Sequence, residues 1–151
     1  MVDSQTYLCT LRSLVREGHD VSMLVTGSSM SPFLIHRRDT IYFGPPNRDF
    51  KKGDMVFYQR DNGDFVMHRI YKINQSGFYL VGDAQTIIEG PIKRTQIFAL
   101  VKKVKRKGKW LEPGDIVWEF FSKIWLMLVP LRPFFKKREP FGRALKKYLP
   151  R

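Results

Sequence analysis

Three side chains that can pass a proton among themselves occur in order along the chain: Ser29 in VTGSSMSPFL, His68 in FVMHRI and Asp83 in LVGDAQT. A serine hydroxyl is a weak nucleophile near neutral pH and needs both a base and a fixed geometry. Ser29 follows a β-branched run that ends at Gly27. A glycine-assisted turn after a strand holds such a hydroxyl rigidly while leaving it exposed. An imidazole with its ordinary pKa of about 6.5 is a competent base around neutrality, so activity is expected to fall as pH drops through that value. An acid behind the imidazole would fix its tautomer. Asp83 is one candidate and Glu89 another, and the spacing leaves both open. Each residue alone also fits a plain structural use: a polar Gly/Ser/Pro turn, a core histidine, a Gly-Asp turn. His19 and His36 are read as structural.

These residues need strands to carry them. VSMLVT (21–26), DTIYFG (39–44), DMVFYQ (54–59), FVMHRIYKI (65–73), FYLV (78–81) and IFALVKKVK (97–105) are apolar, β-branched or alternating. A short last strand is expected near Trp110, after Lys107-Gly108. Asn62-Gly63 and Ser76-Gly77 mark tight turns. Strand alternation puts Val66, His68 and Ile70 on one face and Met67, Arg69 and Tyr71 on the other. Many short strands at close spacing predict a mainly β fold, a coiled antiparallel sheet or partial barrel. A helix is expected over 4–17, where Leu8, Leu11, Leu14 and Val15 share a stripe. The sequence divides into an N-terminal helix (1–20), a catalytic β domain (21–112) and a basic, aromatic helical extension (113–151).

Charge follows that division. The net charge is +13, and residues 101–151 hold 15 Lys/Arg against four acids. One cysteine, Cys9, excludes an intramolecular disulfide and a thiolate cluster; no metal or cofactor is expected. The N-terminal stretch has no basic start and no continuous apolar run, so it does not read as a secretory signal.

The ordered set Gly27-x-Ser29-Met30-x-Pro32, Gly53-Asp54-Met55-Val56, His68-Arg69-Ile70 and Gly82-Asp83 resembles the signal peptidase clan, which includes type I signal peptidases and LexA-type self-cleaving repressors. The likeness covers about residues 20–105. It implies a sheet of the signal-peptidase type, Ser29 as nucleophile, and His68 as base in place of the more common lysine. Asp83 matches the acid's motif, and the second acidic position falls near Glu89. Gly53 and Asp54 match a structural box. Gly27 stands where some relatives place a serine oxyanion donor, so the backbone N–H groups of Ser29 and Gly27 are expected to form the oxyanion hole. Met30 and Pro32 fall beside the substrate. The implied function is a serine endopeptidase cleaving a leader or signal-like segment of a precursor through an acyl-enzyme. Two rivals are a silent peptide-binding module of the same fold and a basic nucleic-acid-binding protein. No helix-turn-helix, zinc spacing or aromatic RNA motif supports the latter.

WEFFSKIWLMLV (118–129, with its flanks) reads as a helix stopped by Pro130 and Pro133, and a second helix follows Pro140. Trp118, Phe121 and Trp125, with Lys136, Lys137 and Arg138, are expected to meet an anionic membrane surface. The expected location is the cytoplasm, at the inner face of the membrane.

Overall fold

The computed structural model describes residues 4–137. Helix α1 (Ser4–Arg16) lays Leu11 and Val15 into the core, with Leu8 and Leu14 against its margin. It ends at Gly18, whose φ of +100° suits glycine. There the amides of Gly18 and His19 bond back to the carbonyls of Val15 and Leu14.

Eight antiparallel strands follow: β1 (Val21–Leu24), β2 (Thr40–Gly44), β3 (Met55–Gln59), β4 (Phe65–Asn74), β5 (Gly77–Val81), β6 (Glu89–Ile92), β7 (Ile97–Arg106) and β8 (Lys109–Leu111). Their order is β1-β2-β7-β3-β4-β5-β6, with β8 also on β7, so the sheet is not closed. β3 pairs with the first half of β7 and β8 with its last residues. Register shifts interrupt the pairing at Tyr42/Phe43, Phe57/Tyr58, Ile70/Lys72 and Phe78/Leu80. Such bulges bend a strand and add twist, which lets the sheet coil around two cores. One core holds Met30, Phe33, Phe43, Phe57 and Phe98. The other holds Val56, Tyr58, Ile70, Leu80 and Leu100.

Fold class, helix and seven of the strands match the sequence expectation. β6 does not: EGPI carries Gly90 and Pro91, and proline reads as a strand breaker. It survives because β6 ends the sheet order, where a missing N–H costs no ladder bond.

The C-terminal segment departs further. Ile116–Glu119 forms a single α-turn (α2), Phe120–Trp125 is π-helical, and Val129–Leu131 is a 3₁₀ turn. Helix α3 (Arg132–Lys137) then begins. The first helical stretch ends at residue 127, just before Pro130, as expected, but the chain goes on in new helical turns. Pro130 and Pro133 each sit in the first positions of a new turn, where proline has no hydrogen bond to lose. The expected outward aromatics are also corrected. Trp118 and Phe121 are buried in the core with Phe33, and Trp125 is half-buried on its margin. Large aromatic surfaces gain most from burial, and here the sheet offers them a partner. The side chains of Lys136 and Lys137, Arg138, and the helix expected after Pro140 lie outside the described residues. No helix among the described residues is long and apolar enough to cross a membrane.

Candidate active site

Ser29 lies on an excursion between β1 and β2 that is clipped at both ends. The Val25 N–H donates to the Asp39 carbonyl at 2.8 Å, and the Arg37 N–H to the Val25 carbonyl at 2.8 Å. Asp39 is fully buried; its carboxylate accepts from Arg38 and from the N–H groups of Ile35 and Lys107. Burial alone would push that carboxyl up, but the Arg38 guanidinium and the two amides outweigh it and hold it below its usual range. The excursion is thus anchored by a charge that stays on.

Within it, Gly27 takes a φ of +86°, and its N–H donates to His36 Nδ1 at 2.8 Å. That corrects the expectation for Gly27: its amide is already used and is not an oxyanion donor here. It also gives His36 a part that its surroundings of Arg37, Arg38 and Asp39 concealed. The Ser29 carbonyl accepts from the Ala84 N–H at 2.9 Å, and Gly82 packs so closely on that carbonyl that no β-carbon would fit. The Ser29 N–H has no acceptor among the described residues.

Ser29 lines a cavity of 170 Å³ with Met30, Met23, Val25, Phe65 and Met67 among its walls. Pro32 is exposed and does not line it. Two walls are strands with an unpaired backbone side. β1 is the first strand of the order, and β5 pairs with β4 only from Arg69 onward. An extended peptide has two strand edges available to it here.

His68 faces a second cavity, lined by Arg60, Gln85, Thr86, Ile87, Ile88 and Glu89. The Ser29 hydroxyl and the imidazole make no hydrogen bond to one another. The two cavities flank the same stretch: Ser29 is bonded to Ala84, and Gln85 beside it lines the His68 cavity.

His68 is 3% exposed. Its Nδ1 lies 3.2 Å from the Tyr58 hydroxyl, which lies 2.8 Å from Glu89 Oε1. A phenol has one proton, and the carboxylate can only accept, so Tyr58 donates to Glu89. Tyr58 then accepts from His68 Nδ1–H. This assigns the proton to Nδ1 and the lone pair to Nε2, the tautomer a general base needs. Arg60 grips both Glu89 oxygens, at 2.8 and 2.9 Å. That grip holds the Glu89 carboxyl below its usual range, despite partial burial. Burial pushes the Tyr58 hydroxyl up, and the Glu89 charge adds to it. The same burial lowers His68 to about 4; the Glu89 charge opposes this and Arg60 assists it. The imidazole is therefore neutral well below the pH that its ordinary value would set.

Asp83 is elsewhere. It is fully buried, and its two oxygens accept from Arg69 Nε and Nη2 at 2.9 and 2.8 Å. Of the two candidate acids, Glu89 stands behind His68, through Tyr58, and Asp83 does not. Strand alternation explains it: Arg69 points to the face opposite His68, and Asp83 follows Arg69. The Asp83 loop has further ties. Trp125 Nε1 donates to the Asp83 carbonyl at 2.7 Å, and Arg132 donates to the carbonyls of Gly82 and Gln85 at 2.9 and 2.8 Å. So the C-terminal segment fixes residues 82–85, and these fix Ser29. Gly53 and Asp54 do structural work: the Gly53 carbonyl accepts from Arg69, and Arg48 grips the Asp54 carboxylate.

Tyr58 and Arg60 carry no signal in the sequence, and Arg132, which its basic neighbours in sequence assign to a membrane surface, is instead buried against residues 82–85. A tyrosine on an apolar strand reads as core, and nothing in spacing links it to Glu89, 31 positions away.

A family model described as Peptidase S24-like matches residues 2–104. Neither a curated protein nor a solved structure matches the chain.

Proposed function

We propose that this chain, which belongs to the Peptidase S24-like family, is a serine endopeptidase that cuts a peptide or protein precursor, with Ser29 as nucleophile and His68 as base. The observation that carries this reading is the directed relay Glu89–Tyr58–His68, which commits Nδ1 and leaves Nε2 with no hydrogen bond among the described residues.

In the mechanism a substrate strand lies in the Ser29 cavity against β1 and the start of β4. Ser29 Oγ attacks the scissile carbonyl carbon, and Nε2 takes its proton. The resulting imidazolium donates through Nδ1 to Tyr58, whose own proton stays on the Glu89 side. The Ser29 N–H faces the developing oxyanion, a contact worth about 10²–10³ in rate where it is preorganised. The C–N bond breaks, and Nε2 returns the proton to the leaving amine. Water then repeats the sequence on the acyl-enzyme. The reaction requires the hydroxyl to swing to within about 3 Å of Nε2, a contact that substrate-free sites often leave loose.

The unmade Ser29–His68 bond also favours a second reading, a silent module that binds extended peptides without turnover. One experiment separates the two. The protein is incubated with a diverse peptide library, and new termini are identified by mass spectrometry. The enzyme reading expects new termini with a shared sequence preference, absent with Ser29→Ala. Peptide retention without new termini, equal in both proteins, assigns the silent module.

A further inference from the structure

The C-terminal helical segment has two faces with opposite roles. Trp118, Phe121, Leu126, Val129 and Arg132 point inward and are buried. Ile116, Phe120, Ile124, Met127, Leu131 and Phe134 are exposed, at spacings of three and four along the segment. Ile116 is 88% exposed and Met127 66%. Single exposed apolar residues are ordinary, but a series of six large ones along one segment marks a docking surface.

The charge beside the stripe narrows the occupant. Lys51, Lys52 and Lys123 line a recess next to α2, together with Arg48 and the acids Asp54 and Glu119. Arg48 is paired with Asp54 and Lys123 with Glu119; Lys51 and Lys52 are exposed, the latter with its ammonium 5.7 Å from the centre of the Tyr71 ring. Sequence beyond the described residues adds Arg138, Arg143, Lys146, Lys147 and Arg151 against Glu139 alone. A second copy of a chain with net charge +13 would be repelled from this edge. A nucleic acid would meet four aliphatic side chains out of six, which neither stack on bases nor pair with phosphate. An apolar stripe with exposed lysines near its α2 end fits an anionic lipid surface, with the stripe in the acyl boundary and the lysines at the headgroups.

We propose that the outward face of residues 116–134 seats the protein on anionic membrane surfaces as a peripheral, in-plane anchor. The inference is independent of catalysis and stands whether or not Ser29 is a nucleophile. Its geometry differs from the sequence expectation in which residues do the seating: the stripe replaces Trp118, Phe121 and Trp125, which the core has taken. The inward face of the same segment holds residues 82–85 through Trp125 and Arg132, so the anchor is rigidly joined to the Ser29 cavity.

The test is flotation of the full chain with vesicles of phosphatidylcholine alone and of phosphatidylcholine mixed equally with phosphatidylglycerol. The expected result is flotation with the anionic vesicles, weakened by salt, and at least about tenfold weaker partition for Ile124→Ser/Met127→Ser. Ile116→Ser, at the most exposed position of the stripe, gives a second reading in case the double variant folds poorly, and should weaken partition in the same direction. Circular dichroism confirms folding of each. No flotation, or equal flotation with neutral vesicles, would overturn the proposal. So would stripe variants that float as well as the parent, since binding would then lie in the basic tail. A dimer in sedimentation that the variants dissociate, without vesicle binding, would assign the stripe to a second copy instead.

Discussion

Two adjacent residues of β4, His68 and Arg69, point to opposite faces of the sheet, and each face holds an arginine–carboxylate pair. On one face Arg69 and Asp83 satisfy each other with two hydrogen bonds, and the Gly53 carbonyl takes a third from Arg69. Both side chains are essentially unexposed. On the other face Arg60 and Glu89 make a similar two-pronged pair, their side chains 37% and 27% exposed. A phenol and an imidazole extend it, and the chain of bonds stops at Nε2. The closed cluster has no capacity left for chemistry. The open one ends in a lone pair that faces a cavity. A buried acid at the motif position is therefore not enough to mark a catalytic acid; what counts is which cluster still has an unused end.

Several substitutions would break or sharpen this contrast. Ser29→Ala should reduce cleavage by more than about 10³-fold, since no other group replaces the nucleophile. Its melting temperature should stay within a degree or two of the parent, because the hydroxyl makes no hydrogen bond among the described residues. His68→Gln should lower single-turnover acylation by about 10²–10⁴-fold while keeping the fold. On the closed face the effect should move from rate to stability. Asp83→Asn leaves Arg69 with an uncompensated buried charge, and should cost about 3–5 kcal/mol in denaturant unfolding. A loss of activity in Asp83→Asn without that loss of stability would reverse the assignment of the two acids. Tyr58→Phe removes the acceptor of Nδ1–H, and should slow acylation by about tenfold without changing peptide affinity, seen as a fall in kcat with KM unchanged.

How far the sequence led can be judged residue by residue. Apolar alternation and Asn-Gly or Lys-Gly turns located seven strands, because each signal is local. Lys107 and Gly108 both take positive φ, 53° and 81°, as a two-residue hairpin requires. β6 escaped because Gly-Pro reads as a break, and the cost of proline vanishes only at a sheet edge. The motif containing Ser29 and His68 was legible, but the relay was not. Tyr58 and Glu89 sit on strands separated by β4 and β5 in the sheet order, so their meeting is a property of coiling. Arg69 did carry a readable hint: a charged residue in a strand of apolar neighbours needs a buried partner, and Asp83 follows the strand that pairs with it. In the C-terminal segment residue type misled where periodicity would have separated Trp118, Phe121 and Trp125 from Ile116, Phe120 and Ile124.

Burial of His68 changes the expected pH response in two ways. With a folded value of about 4 in place of about 6.5, acylation should be level from pH 5 to 8 and fall only below about pH 4. The limb expected from sequence near 6.5 should be absent. Stability carries the smaller sign of the same shift. Between about 6.5 and 4 the unfolded chain binds a proton at this position and the folded chain does not. Stability contributed by a neutral His68 is therefore full above about 6.5 and declines as pH falls, by up to about 1.4 kcal/mol per unit. Denaturant titrations over that window should show a shallower slope in His68→Gln.

The central claim is that Nε2 of His68 activates Ser29. Labelling with a fluorophosphonate tests it directly, since no substrate need be known. The account expects one adduct, mapped to Ser29, with a rate that drops by at least about 10²-fold in folded His68→Gln. An adduct on a different serine, or a Ser29 rate indifferent to that substitution, would contradict it.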